Sequence, residues 1–217
     1  HYFIHCVSGS QHRKAPPAPH LLPPIPNGVP EEFLQSRHAK RAFGLALGRI
    51  CPEKNFHAAL DAARQAGTPL LLAGEVFPYP EHRRYYDREI LPRLDSGRRH
   101  IGTLGLKAKR RFLSAARCLL MPSLAEETSS LVSMEALACG TPVIAFPSGS
   151  LPDIVEHGRT GFIVNSQAEM ADAIQDAGRI DPEACRKSAR DRFPLRRMLD
   201  RYLNFYHRLA CGEAPYA

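Results

Sequence analysis

From about residue 40 onward, short apolar runs alternate with longer stretches whose hydrophobic residues recur every three or four positions. The short runs are 42–47, 69–73, 101–104, 118–121, 142–145 and 161–164. They are too brief for helices, and the runs at 118–121 and 142–145 are nearly all apolar, as strands buried on both faces of a parallel sheet are. The intervening stretches predict helices near 55–66, 82–94, 107–116, 131–139, 168–177, 182–192 and 195–208. In the first of these, Phe56, Ala59, Leu60 and Ala63 share one face. Such alternation predicts an α/β chain built on a doubly wound parallel sheet of about six strands. No internal repeat is visible.

The first 26 residues break the pattern. A strand-like piece, Tyr2-Phe3-Ile4-His5-Cys6-Val7, runs into Ala15-Pro16-Pro17-Ala18-Pro19, with Pro23, Pro24 and Pro26 beyond it. This reads as an extended connector, with further sequence expected in front of it. The expected division is a connector at 1–26, a folded domain at 27–210 and a tail at 211–217.

A chain of 217 residues, 44% hydrophobic and 24% charged, is long enough to bury one sizeable core. Its net charge of +7 suits anionic partners such as nucleotide phosphates or lipid headgroups, and nothing in it singles out nucleic acid. No apolar run approaches the ~20 residues of a membrane span, and the start lacks a signal peptide's progression. The six cysteines are scattered without CxxC or Cys/His ligand spacing, which argues against structural zinc and a disulfide framework and for a cytosolic compartment. Cys118 and Cys139 read as small buried hydrophobes.

In a doubly wound sheet the ligand crevice lies at the carboxyl ends of the strands. The loops to inspect are therefore 48–55, 74–81, 122–130 and 146–153. In the first, Gly48 ends a strand, and Arg49 and Lys54 offer a planar fork and a mobile point charge, a suitable pair for a diphosphate. The alternative makes both surface cations beside Glu53. In the third, Ser129 or Ser130 can cap a helix beginning near Leu131, whose amides and dipole form an anion site. Glu127 lies just outside that cap. Glu135 sits within the otherwise apolar run Leu131-Val132-Ser133-Met134-Glu135-Ala136-Leu137 and needs a partner: the vicinal hydroxyls of a ribose, or a buried arginine.

Two carboxylates invite a glycosidase reading, but cations and a helix start would keep both ionised, whereas a general acid needs a raised pKa. Gly44-Leu45-Ala46-Leu47-Gly48 is not the GxGxxG of a dehydrogenase, and no P-loop is present. His57, His82 and His157 read as solvated or capping. The basic run Lys107-Ala108-Lys109-Arg110-Arg111 reads as a solvated helix face, with membrane-surface contact as the sharper alternative. Tyr79, Tyr85 and Tyr86 could stack on a ligand, though nothing in the sequence favours it.

Taken in order, Gly48-Arg49-x-x-Pro52-Glu53-Lys54-Asn55, Gly74, the pair Glu127 and Glu135 with seven residues between them, Gly140-Thr141-Pro142-Val143 and Leu151-Pro152-Asp153-Ile154-Val155 with Gly158 and Gly161-Phe162 resemble one family. It is the nucleotide-sugar-binding domain of retaining glycosyltransferases of family four, group 1, in which two Rossmann-like domains face each other in the GT-B fold. The resemblance implies that this chain is one half of that fold. It implies that Arg49 and Lys54 hold the donor's diphosphate, together with Gly48 and the backbone at Ser130 and Leu131. Glu135 would bind the ribose, Glu127 the transferred sugar, and Ile101 and Leu104 the base.

By the same resemblance the donor is a UDP- or GDP-type sugar, no metal or cofactor takes part, and the acceptor is a glycan or lipid bound by an N-terminal domain. Cys6-Val7-Ser8-Gly9-Ser10-Gln11 resembles that domain's end, so this chain alone is expected to bind nucleotide but transfer little. The location implied is cytoplasmic, at the inner face of the membrane if the acceptor is a lipid. Where family members have Gly-Phe-Gly after the first glutamate, this sequence has Thr128-Ser129-Ser130, a bulkier and more polar helix start. Asp153 stands where glutamate is commoner. A non-catalytic nucleotide-binding or scaffold domain of the same fold is the other function expected.

Overall fold

In the computed structural model, residues 2–35 and 38–213 are described; the end of the expected tail, 214–217, lies outside them. Six strands form one sheet: β1 (Gly44–Leu47), β2 (Leu70–Ala73), β3 (Arg98–His100), β4 (Cys118–Met121), β5 (Val143–Ala145) and β6 (Gly161–Ile163). All pairings are parallel and the order is β3-β2-β1-β4-β5-β6. This is the Rossmann-like order in which the winding reverses between β1 and β4. The helices are α1 (Gly9–Lys14), α2 (Glu31–Leu34), α3 (Phe56–Gln65), α4 (Pro80–Tyr85), α5 (Leu106–Ala115), α6 (Leu131–Ala138), α7 (Leu151–Ile154), α8 (Gln167–Asp176), α9 (Pro182–Arg192) and α10 (Leu195–Ala210).

Successive side chains of a strand point to opposite faces, and the core divides accordingly. Leu45, Leu47, Leu71, Ala73, Leu119, Met121, Val143 and Ala145 join the apolar faces of α6 and α9. Ala46, Leu70, Leu72, Cys118, Leu120 and Ile144 join those of α3 and α8. A strand needed on both faces must be apolar throughout, which is why β1, β2 and β4 appear in the sequence as unbroken runs.

Two expectations shift. The third strand is Arg98–His100, not 101–104. It is the outermost strand of that edge and only partly buried, so nothing required it to be an apolar run. Ile101 still donates to the Leu72 carbonyl at 2.9 Å, just past the strand's end. The helix expected at 82–94 begins at Pro80, widens into a π turn at Tyr86–Ile90 and tightens at Leu91–Arg93. Pro92 has no N–H with which to continue the regular ladder.

Residues 2–26 carry α1, which the sequence did not suggest. Ser8 caps it, its hydroxyl accepting from the Gln11 amide at 3.1 Å. The segment packs against α10 through edge-on contacts of Phe3 with Phe205 and His5 with Tyr202. Among the described residues no helix is long and apolar enough to cross a membrane.

Candidate functional site

The loops leaving β1, β2 and β4 converge at the carboxyl edge of the sheet, beside the reversal in strand order. A Cβ on Gly74 would lie 1.8 Å from the Gly48 carbonyl oxygen, so the exits of β1 and β2 approach as only glycine allows. Ile50 donates to the Glu75 carbonyl at 2.9 Å. Beyond it, Pro52–Lys54 makes a single 3-10 turn, closed by Asn55 in the left-handed region (φ 54°), where asparagine is tolerated. The Glu53 carbonyl then accepts from the Leu124 amide at 2.9 Å and the Ser123 hydroxyl at 3.3 Å. That stitching joins the loop of Lys54 to the loop of Glu127.

The two side chains meet. Lys54 Nζ and Glu127 Oε1 form an ion pair, with only 20% and 12% of their side chains exposed. Arg49 stays exposed and lies over the Phe77 ring at 5.7 Å. Glu127 is held from behind by Gly149 and Ser150: the Ser150 amide donates to the Glu127 carbonyl at 2.7 Å. A Cβ on Gly149 (φ 56°) would stand 2.3 Å from that oxygen. Gly149→Ala should therefore push the Glu127 backbone aside and lower stability by about 1–3 kcal/mol, read as a lower urea midpoint at unchanged slope.

Helix α6 begins at Leu131 with Ser130 as its cap residue, as expected, but the Ser130 hydroxyl bonds the Ser133 hydroxyl at 2.8 Å instead of an amide. Among the described residues nothing accepts from the Val132 and Ser133 amides, so the positive end of this helix keeps free donors. The Ser129 hydroxyl is buried and has no partner among the described residues. Leu131 lies 45% exposed at the mouth.

Glu135 answers the question its position raised with a lysine rather than an arginine. Its Oε1 accepts from Lys109 Nζ at 2.6 Å, both side chains mostly covered. Lys109 belongs to the basic run read as a solvated face; Lys107 and Arg111 are exposed, but Lys109 turns inward and Arg110 donates to the Phe33 carbonyl at 3.1 Å. The second oxygen, Oε2, is buried and has no partner among the described residues. Leaving such an acceptor without a donor costs about 1–3 kcal/mol, more when it is charged.

Ile101 and Leu104 are half-buried against the cluster that also takes Val132 and Met134 of α6. A cavity of about 530 Å³ opens at the exits of β2 and β3, lined by Gly74, Arg83, Tyr86, His100, Gly102 and Thr103. A second, about 290 Å³, lies between α1 and the β4 exit, with Lys14, Gln11, Glu127, Thr128 and Gly149 on its wall. Here α1 is tied down by ion pairs of Lys14 with Glu126 and of Arg13 with Asp153 at 2.9 Å. Nothing in the proline-rich opening segment foretold α1 at this edge.

His57 and His157 hold local structure: the Tyr85 hydroxyl accepts from the His57 amide at 3.2 Å, and His157 Nδ1 accepts from the Ile163 amide at 3.2 Å. Burial pushes the Tyr85 hydroxyl up to about 12, so it remains a neutral donor. Tyr86 bonds His100 Nδ1 at 3.1 Å, and Tyr79 is exposed. His82 differs from its reading as solvated or capping. It is buried, and its Nδ1 has no partner among the described residues.

Residues 43–178 match the family model described as "Glycosyl transferases group 1". A D-inositol 3-phosphate glycosyltransferase of Pseudarthrobacter chlorophenolicus is 46% identical over 66 residues, 30% of this chain and 16% of that protein. Among solved structures, AviGT4, a glycosyltransferase involved in avilamycin A biosynthesis, superposes with a TM-score of 0.78 at 26% identity, covering 96% of this chain and 63% of its own. Anabaena Alr3699/HepE, solved with UDP and glucose, shares the fold with a TM-score of 0.80 at 19% identity over 93% of this chain and 62% of its own. The chain thus spans less than two thirds of the length of each of these relatives.

Proposed function

The chain belongs to the group 1 glycosyl transferases, and from that premise we propose that it is the donor-binding half of a retaining, metal-independent enzyme of family four. Residues 27–210 form the nucleotide-sugar domain in this reading, and 1–26 lead into it from a facing domain that binds the acceptor. The donor is a UDP- or GDP-sugar, and the acceptor is a glycan or lipid. Transfer takes place in the cytoplasm, and no nucleic acid is involved.

One observation carries the reading. Glu135 Oε2 is a buried carboxylate oxygen with no partner among the described residues, on the helix whose first amides stay free at the sheet edge that also carries the loop of Arg49 and Lys54. A vicinal diol supplies the donors that oxygen lacks, and a diphosphate supplies the negative charge that Arg49, Lys54 and the start of α6 can hold. The ribose lies on Glu135, the base against Ile101 and Leu104, and the diphosphate over Ser130 and Leu131 beside Gly48.

The transferred sugar then faces Glu127. The bond from its anomeric carbon to the diphosphate oxygen breaks with both electrons going to that oxygen, the acceptor's hydroxyl oxygen bonds to the same carbon, and the hydroxyl proton passes directly to the departing diphosphate. Arg49, Lys54 and the helix start stabilise the growing charge without a proton shuttle. Ser129, whose hydroxyl has no partner among the described residues, lies between the two glutamates and is where the choice of sugar would be made.

A thermal-shift panel of UDP, GDP, ADP and their sugars tests this. At about 100 times its dissociation constant the correct nucleotide should add about 2.7 kcal/mol of stability. The shift should shrink in Glu135→Ala, to about 1.4 kcal/mol for a ten-fold loss of affinity and less for a larger one. No shift with any nucleotide would sink the donor-site reading; a shift with no transfer even beside the facing domain would favour the scaffold alternative. The isolated chain should turn over little, and robust transfer by it alone would overturn the half-enzyme assignment.

A further inference from the structure

Beside the donor groups, three metal-ligating side chains converge. Cys51 and Glu53 flank Pro52 in the loop leaving β1, and His82 comes from α4, which packs on the Pro52–Lys54 turn. One ligand atom from each lies within 4.8 Å of the others. Cys51 and His82 are buried, Glu53 is exposed, and His82 Nδ1 has no partner among the described residues. We propose that Cys51, Glu53 and His82 bind a divalent transition-metal ion of the zinc class, which braces the donor-site loops and takes no part in transfer.

The donor set selects the ion. A thiolate, an imidazole and a carboxylate suit zinc or cobalt, whereas magnesium and calcium take oxygen ligands. Tetrahedral bonds of about 2.0–2.3 Å place ligand atoms roughly 3.5 Å apart, so closing the site asks for movements of about 1 Å. Glu53 opens the site to solvent, which gives the ion a way in and leaves a fourth position for water. Of the two cations of the same loop, Lys54 is paired with Glu127, whereas Arg49, lying over Phe77, also reaches Cys51 and Glu53 and must give way to the ion.

Glu53 is held below the usual carboxylate range, by its own backbone amide first and the Cys51 thiol second. An ordinary cysteine thiol carries its proton at neutral pH, whereas the metal ligand is the thiolate. Binding forms the sulfur–metal bond, and the thiol proton leaves to solvent, so uptake releases one proton and strengthens as pH rises. The Glu53 carbonyl already accepts from Leu124, Ala125 and Ser123. An ion on the same residue's carboxylate would stiffen the loop of Lys54 and the loop of Glu127 together.

The test is a titration of the reduced, full chain with Co2+ alone, followed by its absorption spectrum. Cys211 lies 3.9 Å from His207 Nε2 on α10 and is a rival site, so the titration is run in Cys211→Ser. A thiolate-to-cobalt charge-transfer band with tetrahedral d–d absorption should saturate at one ion per chain, disappear on adding Zn2+ and accompany release of one proton. Cys51→Ser should abolish the charge-transfer band. Glu53→Gln, an exposed change that spares the fold, and His82→Leu should weaken binding by more than the about 10–100-fold that second-sphere partners cost. No band in Cys211→Ser, a band that survives Cys51→Ser, or unchanged cobalt affinity in Glu53→Gln would overturn the proposal. None of these readouts depends on nucleotide binding.

Discussion

Lys54→Ala is expected to lower transfer, measured with the facing domain present, by about 100- to 1000-fold in kcat, the cost of deleting one preorganised donor aimed at developing charge. The ion pair with Glu127 complicates the experiment usefully. With side chains 20% and 12% exposed, the pair lies between the surface and the interior. Breaking it should cost about 1–3 kcal/mol of stability, between the small value of exposed pairs and the larger one of buried pairs. Glu127→Ala removes the other half. If the pair were only structural, the double variant would regain stability and also activity. If Lys54 holds the diphosphate and Glu127 the sugar, the double variant regains stability while transfer stays lost.

Arg49→Ala is the companion. Its guanidinium is exposed over Phe77, so stability should move by less than about 0.5–1 kcal/mol while nucleotide affinity falls. A Lys54→Ala enzyme with unchanged kcat would remove Lys54 from the diphosphate site.

The sheet was legible because a strand covered on both faces has no freedom to be polar. β1, β2, β4 and β5 all lie within two residues of where the apolar runs place them, and β6, the other edge strand, was placed because its Gly161-Phe162-Ile163 is still apolar. β3 was misplaced because an edge strand obeys no such rule, and its sequence is Arg-Arg-His. α1, α2 and α7 are four to six residues long, too short for a 3.6-residue period to show.

In the site, the loops could be chosen from the strand pattern, and Glu135 marked itself as an acid in an apolar helix. Its partner could not be read. Lys109 lies 26 positions away on α5, and only the packing of two helices on one face of the sheet brings the charges to 2.6 Å. Cys51 and His82 are a similar case: their convergence depends on α4 folding back onto the loop after β1. Ser130 shows the converse, a cap position correctly placed whose hydroxyl was taken by Ser133.

Glu135→Ala should weaken nucleotide binding by about 1.5–3 kcal/mol for each hydroxyl it receives, roughly 10- to 150-fold per bond. Because Oε1 is committed to Lys109, the loss comes through Oε2, and the ligand can be altered to test that separately. The 2′-deoxy form of the preferred nucleoside diphosphate removes one partner without touching the protein. Wild-type protein should discriminate against it, whereas Glu135→Ala should bind the ribo and deoxy forms alike, as calorimetric titration would measure. Lys109→Met supplies the control for charge. It leaves a mostly covered carboxylate unpaired and should cost stability, but Oε2 still faces the ribose, so discrimination between the two nucleotides should persist. If Glu135→Ala discriminates as well as wild type, the oxygen left empty in α6 belongs to some other ligand, and the ribose must be sought elsewhere along the carboxyl edge.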